Sequence, residues 1–319
     1  MQALELNNAL HYRLDKAVPD IGAGEALIRM TLAGICATDL ELVKGYAGFS
    51  GVIGHEFVGV VEAVGSKSDS VWLDKRVVGS INIGCGDCAA CLGAGPEHCL
   101  QRKVLGIRGR DGAFADYLRL PVANLYQVPA GVADEEAVFT EPLAAALRVV
   151  GQLELLSVGK VAVVGPGRLG LLIAKVLALA GYDVEVLGRS ETSLALPAQW
   201  GLRTGLTRSV PDNSYHFVVD ASGQSGGFAE ALRLTRPRGI VVQKSTFSAA
   251  EAVDLGKLVV GELTIMGSRC GPFDAALALL EQGVLPLRSM VDGRYRLIDG
   301  MAALRHAGQA GVRKILLQP

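Results

Sequence analysis

Residues 161–170 read Val-Ala-Val-Val-Gly-Pro-Gly-Arg-Leu-Gly, an apolar strand-like run that enters a G-x-G-x-x-G loop and passes directly into a long apolar stretch of helical character. That setting carries more weight than the glycines alone. In a strand–loop–helix unit Gly165 lets the chain turn, Gly167 lets the backbone approach a pyrophosphate, and Gly170 lets helix meet strand. Arg168 and Leu169 then open a helix whose first N–H groups face phosphate oxygens. The competing reading is a glycine turn in an α/β unit that binds nothing. The context predicts a dinucleotide site.

Working outward, the segments DVEVLGR, HFVVDASG, GIVVQKST and LTIMGS alternate with helix-like runs, and another apolar helical run covers residues 143–155. Parallel strands need a helix to carry the chain back, so this alternation predicts a parallel sheet wound on both faces. Strands buried on both sides should be nearly all apolar, as VAVV and FVVD are. Residues 26–126 have a different texture. ALIRMTLAG, FVGVVEAVG, KRVVGSINIG and AFADYLRLP are short, β-branched and separated by glycine, which predicts an all-β unit carrying its motifs on loops. After residue 273 come a helix (FDAALALLEQGV), a strand (GRYRL), a second helix and a terminal strand (KILLQP). This tail is too short for a domain and is expected to pack back on another one. The α/β chain therefore divides into residues 1–138 with 273–319, and residues 139–272.

The identity of the dinucleotide is read at the end of the next strand, where an acidic residue would grip a ribose 2′-hydroxyl. The chain has DVEVLGRSE there, with Gly188 and Arg189 in place of the acid. Glycine leaves room, and Arg189 with Ser190 suits a 2′-phosphate, so NADP is expected in preference to NAD. The plainer reading of Arg189 is a solvated charge at a strand end.

Four of the six cysteines fall within IGCGDCAACLGAGPEHC as Cys85-x2-Cys88-x2-Cys91-x7-Cys99. Four thiols on a glycine-permitted loop make a closed tetrahedral zinc site, which holds shape and does no chemistry. Two disulfides or an iron–sulfur cluster would use similar spacings. Against these, the amino-terminal MQALELNNALHYRLDK lacks the features of a secretory leader, and nothing else suggests electron transfer. His98 is read as a bystander.

The 319 residues are half apolar, include 40 glycines, and carry a formal charge of -1 with acids and bases interspersed. No electrostatic footprint for nucleic acid or an anionic membrane results. The most apolar stretch, residues 169–181, is broken by Lys175 and too short to span a bilayer. A cytoplasmic protein acting on a small molecule is expected.

Three further features suggest a second, open metal site: Cys36 in GICATD, His55 with Glu56 in GHE, and Glu141 in EPL. Singly, each has a simpler explanation. Cys36 suits a small buried hydrophobe, His55 a hydrogen-bonded turn residue, and Glu141 an acid favoured by a helix dipole.

Taken in order, GICATDL, GHEFVGVVEAVG, the four-cysteine lobe, DGAFADYL, TEPLAAAL, VVGPGRLG and GSRCGPF make the chain resemble, end to end, the zinc-dependent alcohol and polyol dehydrogenases of the medium-chain dehydrogenase/reductase superfamily. The resemblance implies a GroES-like β-rich catalytic domain with a structural zinc lobe at residues 84–100. It also implies a Rossmann doubly wound parallel-sheet domain, and an active-site cleft between the two. Cys36, His55 and Glu141 would hold one catalytic zinc, with Glu56 as an alternative ligand or a group just outside it. Cys85, Cys88, Cys91 and Cys99 would hold one structural zinc.

A catalytic zinc polarises a substrate oxygen as a Lewis acid. Thr38 would accept and relay the proton, and Asp39 would orient His55 or, equally, cap a helix. Leu40 and Glu41 stand where some relatives carry a relay histidine, which leaves the outer proton path undefined. Glu141 stands where alcohol dehydrogenases proper carry a cysteine, which places the chain on the polyol, glucose and threonine dehydrogenase side. The resemblance implies an alcohol, polyol or sugar, or the matching carbonyl compound, as substrate, and a homodimer or homotetramer. The loops at residues 43–54 and 200–212 look trimmed, and Cys270 is expected to be a buried thiol near the cofactor. Zinc-independent quinone or enone reductases and a non-catalytic nucleotide-binding protein are the alternatives, and the set of Cys36, His55 and Glu141 argues against the first.

Overall fold

The computed structural model describes residues 1–153, 159–246 and 252–319. The chain divides into two units, Met1–Glu141 with Phe273–Pro319, and Pro142–Pro272. Among the described residues no helix is long and apolar enough to cross a membrane.

In the second unit six strands form one parallel sheet. In spatial order they are Arg203–Leu206, Asp183–Gly188, Lys160–Val164, Tyr215–Asp220, Thr235–Gln243 and Thr264–Gly267. In order of sequence this is 3-2-1-4-5-6, with its reversal between Lys160–Val164 and Tyr215–Asp220. The central strands are apolar because both faces are covered: Val161, Ala162, Val163, Phe217, Val218 and Val219 are fully buried. The helix Arg168–Leu179 follows the glycine loop, and Glu191–Gln199, Gly227–Leu234 and Leu255–Val260 return the chain between later strands. The helical run expected over residues 143–155 is present as Thr140–Leu153, and Leu155 lies outside the described residues.

The first unit is β-rich, around a largely antiparallel sheet in the order Leu125–Gln127, Arg76–Gly79, Glu56–Val64, Glu25–Gly34, Lys314–Gln318, Val291–Arg296, with Tyr117–Pro121 also paired to Glu25–Gly34. The expectation of strands alone is corrected here. A short helix, Ala37–Val43, starts immediately after Cys36. The two helices expected after residue 273 are present as Phe273–Glu281 and Gly300–Ala307. The terminal strand pairs Leu316 with Gly34 and Leu317 with Ala33, which carries its first residue, Lys314, past the end of Glu25–Gly34. The core gathers Ile28, Met30, Ile53, Phe57, Phe114 and Leu317, contributed by strands and loops far apart in sequence.

Candidate active site and metal centres

Two adjacent strand ends and one helix start build the first cluster. Strand Glu25–Gly34 ends one residue before Ile35, whose N–H donates to Ile315 O at 2.9 Å, and Cys36 follows as the residue that opens helix Ala37–Val43. On the neighbouring strand Glu56 is the register partner of Gly34, so His55 and Glu56 lie beside Cys36. A positive φ of 96° at Gly54 makes the turn into His55, and a side chain there would strike the Phe114 ring.

One donor atom each from Cys36, His55 and Glu56 lies within 4.8 Å of the others. His55 and Glu56 are buried and Cys36 is half-buried. A thiol, an imidazole and a carboxylate at this spacing fit a zinc ion with one position left for a small molecule.

Asp39 is fully buried in the first turn of the helix, and its Oδ2 accepts from Cys36 N at 2.8 Å. Its Oδ1 lies 3.3 Å from His55 Nδ1, a contact that is electrostatic rather than an aligned hydrogen bond. Burial acts to depress the His55 pKa, but the Asp39 charge, with help from Cys36, more than offsets it and holds the imidazole well above its ordinary value. Thr38 Oγ1 is 3.8 Å from Cys36 Sγ. Glu141 is half-buried in the first turn of Thr140–Leu153 and is not one of the three donors gathered within 4.8 Å.

The sequence carries no local signal for Lys314. It is 1% exposed, and its Nζ donates to Glu56 Oε2 across 258 positions of chain.

The second cluster is the cysteine lobe. Cys85, Cys88, Cys91 and Cys99 bring their sulfurs within 4.8 Å of one another, with Cys85–Cys91 at 3.9 Å and Cys99–Cys85 at 3.6 Å. A tetrahedron of zinc–sulfur bonds of about 2.3 Å has edges of about 3.8 Å, so the lobe fits that ion. Hydrogen bonds from backbone N–H groups, Cys85 N first, lower the Cys99 thiol to about 7, whereas the Asp87 side chain raises Cys85 to about 12. Cys99 is thus the sulfur most readily in the ligating thiolate form. Cys270 is half-buried, not buried as expected.

In the second unit Gly165 closes strand Lys160–Val164 with a φ of 99°, and its N–H donates to Leu187 O at 3.0 Å. A Cβ at Gly170 would lie 1.9 Å from Gly165 O, whereas a Cβ at Gly167 would meet nothing within 4 Å. The loop is therefore tight where helix meets strand and open where a pyrophosphate would lie. Arg168 and Leu169 begin the helix. At the next strand end, a Cβ on Gly188 would lie 2.7 Å from Ser193 Oγ and 2.9 Å from Leu194 Cδ2, so the glycine admits the close packing of helix Glu191–Gln199 rather than leaving room at its Cβ position as expected. Ser190 Oγ caps that helix by accepting from Ser193 N at 3.3 Å, and Arg189 reaches Gln224 Oε1 at 3.4 Å.

Comparison with known proteins decides among folds that share these features. Residues 22–130 match the alcohol dehydrogenase GroES-like domain. The L-threonine 3-dehydrogenase of Streptomyces avermitilis is 32% identical over 95% of this chain and 94% of its own length. The chain belongs to the zinc-dependent medium-chain alcohol and polyol dehydrogenases.

As a medium-chain dehydrogenase it pairs a GroES-like domain with a Rossmann-like parallel-sheet domain and is an NAD(P)-dependent oxidoreductase of CH–OH groups. Solved structures of this family share the fold closely. RspB, an alcohol dehydrogenase of Escherichia coli CFT073 complexed with NADH, superposes with a TM-score of 0.89 at 27% identity, covering 100% of this chain and 99% of its own. A zinc-binding dehydrogenase of Sinorhizobium meliloti 1021 bound to NADP gives a TM-score of 0.89 at 25% identity, with the same coverage of both chains.

Proposed function

We propose that this medium-chain dehydrogenase interconverts a small alcohol, polyol or sugar and the matching carbonyl compound, with a catalytic zinc on Cys36, His55 and Glu56. The observation that carries the reading is the thiol–imidazole–carboxylate set within 4.8 Å, its His55 and Glu56 buried, next to the Thr38 hydroxyl. Glu141 is the alternative carboxylate ligand. When bound, zinc supplies Lewis-acid polarisation of the substrate oxygen and the nicotinamide supplies a hydride acceptor.

The chain's own groups do the rest. Thr38 Oγ1, half-exposed, takes the proton from the substrate hydroxyl and passes it outward. Asp39 holds the His55 ring from behind, through the contact between its Oδ1 and Nδ1, and so keeps the other ring nitrogen for the metal. Burial of His55, Glu56 and Asp39 keeps bulk water from these charges and strengthens their interactions.

The cysteine lobe is assigned a structural zinc, supported by sulfur spacings that fit a tetrahedron. NADP is preferred over NAD, with Gly165, Gly167, Arg168, Leu169 and Gly170 on the pyrophosphate and Gly188, Arg189 and Ser190 on the 2′-phosphate. Arg208 joins that set. Leu206 is the register partner of Gly188, and Thr207 Oγ1 donates to Gly188 O at 3.1 Å, which brings the next residue, Arg208, to the same sheet edge. Arg208 is exposed and has no ion pair among the described residues.

A homodimer or homotetramer is supported by the edge strand Thr264–Gly267, whose Ile265 is exposed, and by the exposed Leu255, Val259 and Val260 of the preceding helix. Cysteines assigned to metal ions must stay reduced, which suits a cytoplasmic setting.

The test is a steady-state screen of alcohols, polyols, sugars and carbonyl compounds with NAD and NADP in parallel, run alongside metal analysis. Cys36→Ser should abolish turnover and keep cofactor binding. Full activity in that variant would overturn the catalytic-zinc assignment, and a strong NAD preference would overturn the cofactor assignment.

A further inference from the structure

Lys314 is a buried cation that the reaction outlined above does not use. Its strand, Lys314–Gln318, crosses the end of Glu25–Gly34, and that crossing brings the ammonium to the carboxylate of Glu56. Both residues are 1% exposed. Two further features fit the chain around this contact. Nζ lies 5.2 Å from the centroid of the fully buried Phe139 ring. Gly34 leaves the space in which the pair meets: a Cβ there would lie 2.5 Å from Glu56 Oε2 and 3.4 Å from Lys314 Nζ.

A lone ammonium in such surroundings would be strongly destabilising, so Glu56 and Lys314 hold each other in place. The same carboxylate also offers an oxygen within 4.8 Å of Cys36 Sγ and a His55 nitrogen. A carboxylate has two oxygens and can serve two partners at once.

We infer that Lys314 is a positioning residue for the metal site: by engaging one side of the Glu56 carboxylate it fixes the rotamer that offers Glu56 to the metal. The inference rests on the assignment of the catalytic metal to Cys36, His55 and Glu56, and it concerns what orders that set. Groups that orient metal ligands typically contribute about 10–100-fold in metal affinity or activity.

The experiment measures zinc affinity of the purified holoprotein by competition with a chromogenic chelator, together with the visible spectrum of the cobalt-substituted protein. In Lys314→Met the affinity of the weaker site should fall about 10–100-fold, while the cysteine-lobe metal is kept. Lys314→Arg, which keeps the cation, should recover part of that loss with a shifted cobalt spectrum, and it decides the question if the methionine variant does not fold. In a Glu56→Gln background, Lys314→Met should add no further loss, because the lysine acts through that carboxylate.

Wild-type zinc affinity and an unchanged cobalt spectrum in a folded Lys314 variant would overturn the inference. So would an undiminished further loss in the Glu56→Gln background. A wild-type protein that holds one metal per chain, on the cysteine lobe alone, would instead overturn the underlying catalytic-site assignment.

Discussion

Asp39 Oδ1 lies 3.3 Å from His55 Nδ1, with both side chains buried, and the same carboxylate accepts the Cys36 N–H through its other oxygen. One acid thereby ties the thiol loop to the imidazole, and its charge outweighs burial in setting the His55 pKa well above 6.5.

The sign of the resulting pH dependence follows. In metal-free protein the raised His55 value stabilises the fold fully below the unfolded value near 6.5, and the contribution is lost as pH rises through the folded value. Zinc needs the neutral imidazole, so binding releases a proton and affinity climbs across that same window. Thermal unfolding of the apoprotein as a function of pH should show the low-pH gain in wild type and lose it in Asp39→Asn. An identical profile in both proteins would refute the coupling.

Gly167 and Gly170 should separate binding from folding. Gly170→Ala places a methyl 1.9 Å from Gly165 O and should destabilise the protein by about 1–3 kcal/mol in urea unfolding. Gly167→Ala meets nothing within 4 Å, at an ordinary φ of -80°, and should leave stability within about 0.5 kcal/mol. Because that methyl enters the space in front of the loop, NADPH affinity by fluorescence titration should nevertheless drop. Unaltered affinity would remove the pyrophosphate from this loop.

Arg189→Ala and Arg208→Ala should each weaken NADPH binding about tenfold, the worth of one charge-assisted hydrogen bond, and leave NADH binding unchanged. Equal loss for the two cofactors would place these guanidinium groups elsewhere than on a 2′-phosphate.

Cys99→Ser removes the sulfur whose pKa falls to about 7 and should reduce the metal content by one ion per chain. Tm should fall by several degrees, at about 2–4 °C per kcal/mol lost. Turnover per folded molecule should hold better than in Cys36→Ser, and loss of turnover at unchanged Tm would contradict a purely structural role for the lobe.

The parallel-sheet unit was legible because its signals are local. An apolar run, three glycines and a helix start are contiguous in sequence, whereas the strand order, with its reversal between Lys160–Val164 and Tyr215–Asp220, is set only in the folded sheet. The cysteine lobe was equally plain, since four ligands fall within fifteen residues. The helix Ala37–Val43 was missed because seven residues give too little periodicity to outweigh the strand pattern around them. Thr207 and Arg208 were passed over because their place at the sheet edge depends on the register between Asp183–Gly188 and Arg203–Leu206.

By itself, then, the sequence determined the two unit types, the glycine loop and the four-thiol lobe, and it pointed to Cys36 and His55 with Glu141, Glu56 being the alternative acid; the cluster that forms takes Glu56. Only the tertiary structure decided what surrounds that cluster. Lys314 reaches Glu56 from 258 positions away because the terminal strand crosses the end of Glu25–Gly34, and Gly34 leaves the gap between them. No local pattern encodes such a contact. A buried charge and its partner are matched by the desolvation both would suffer alone, and that penalty exists only once the strands have closed around them.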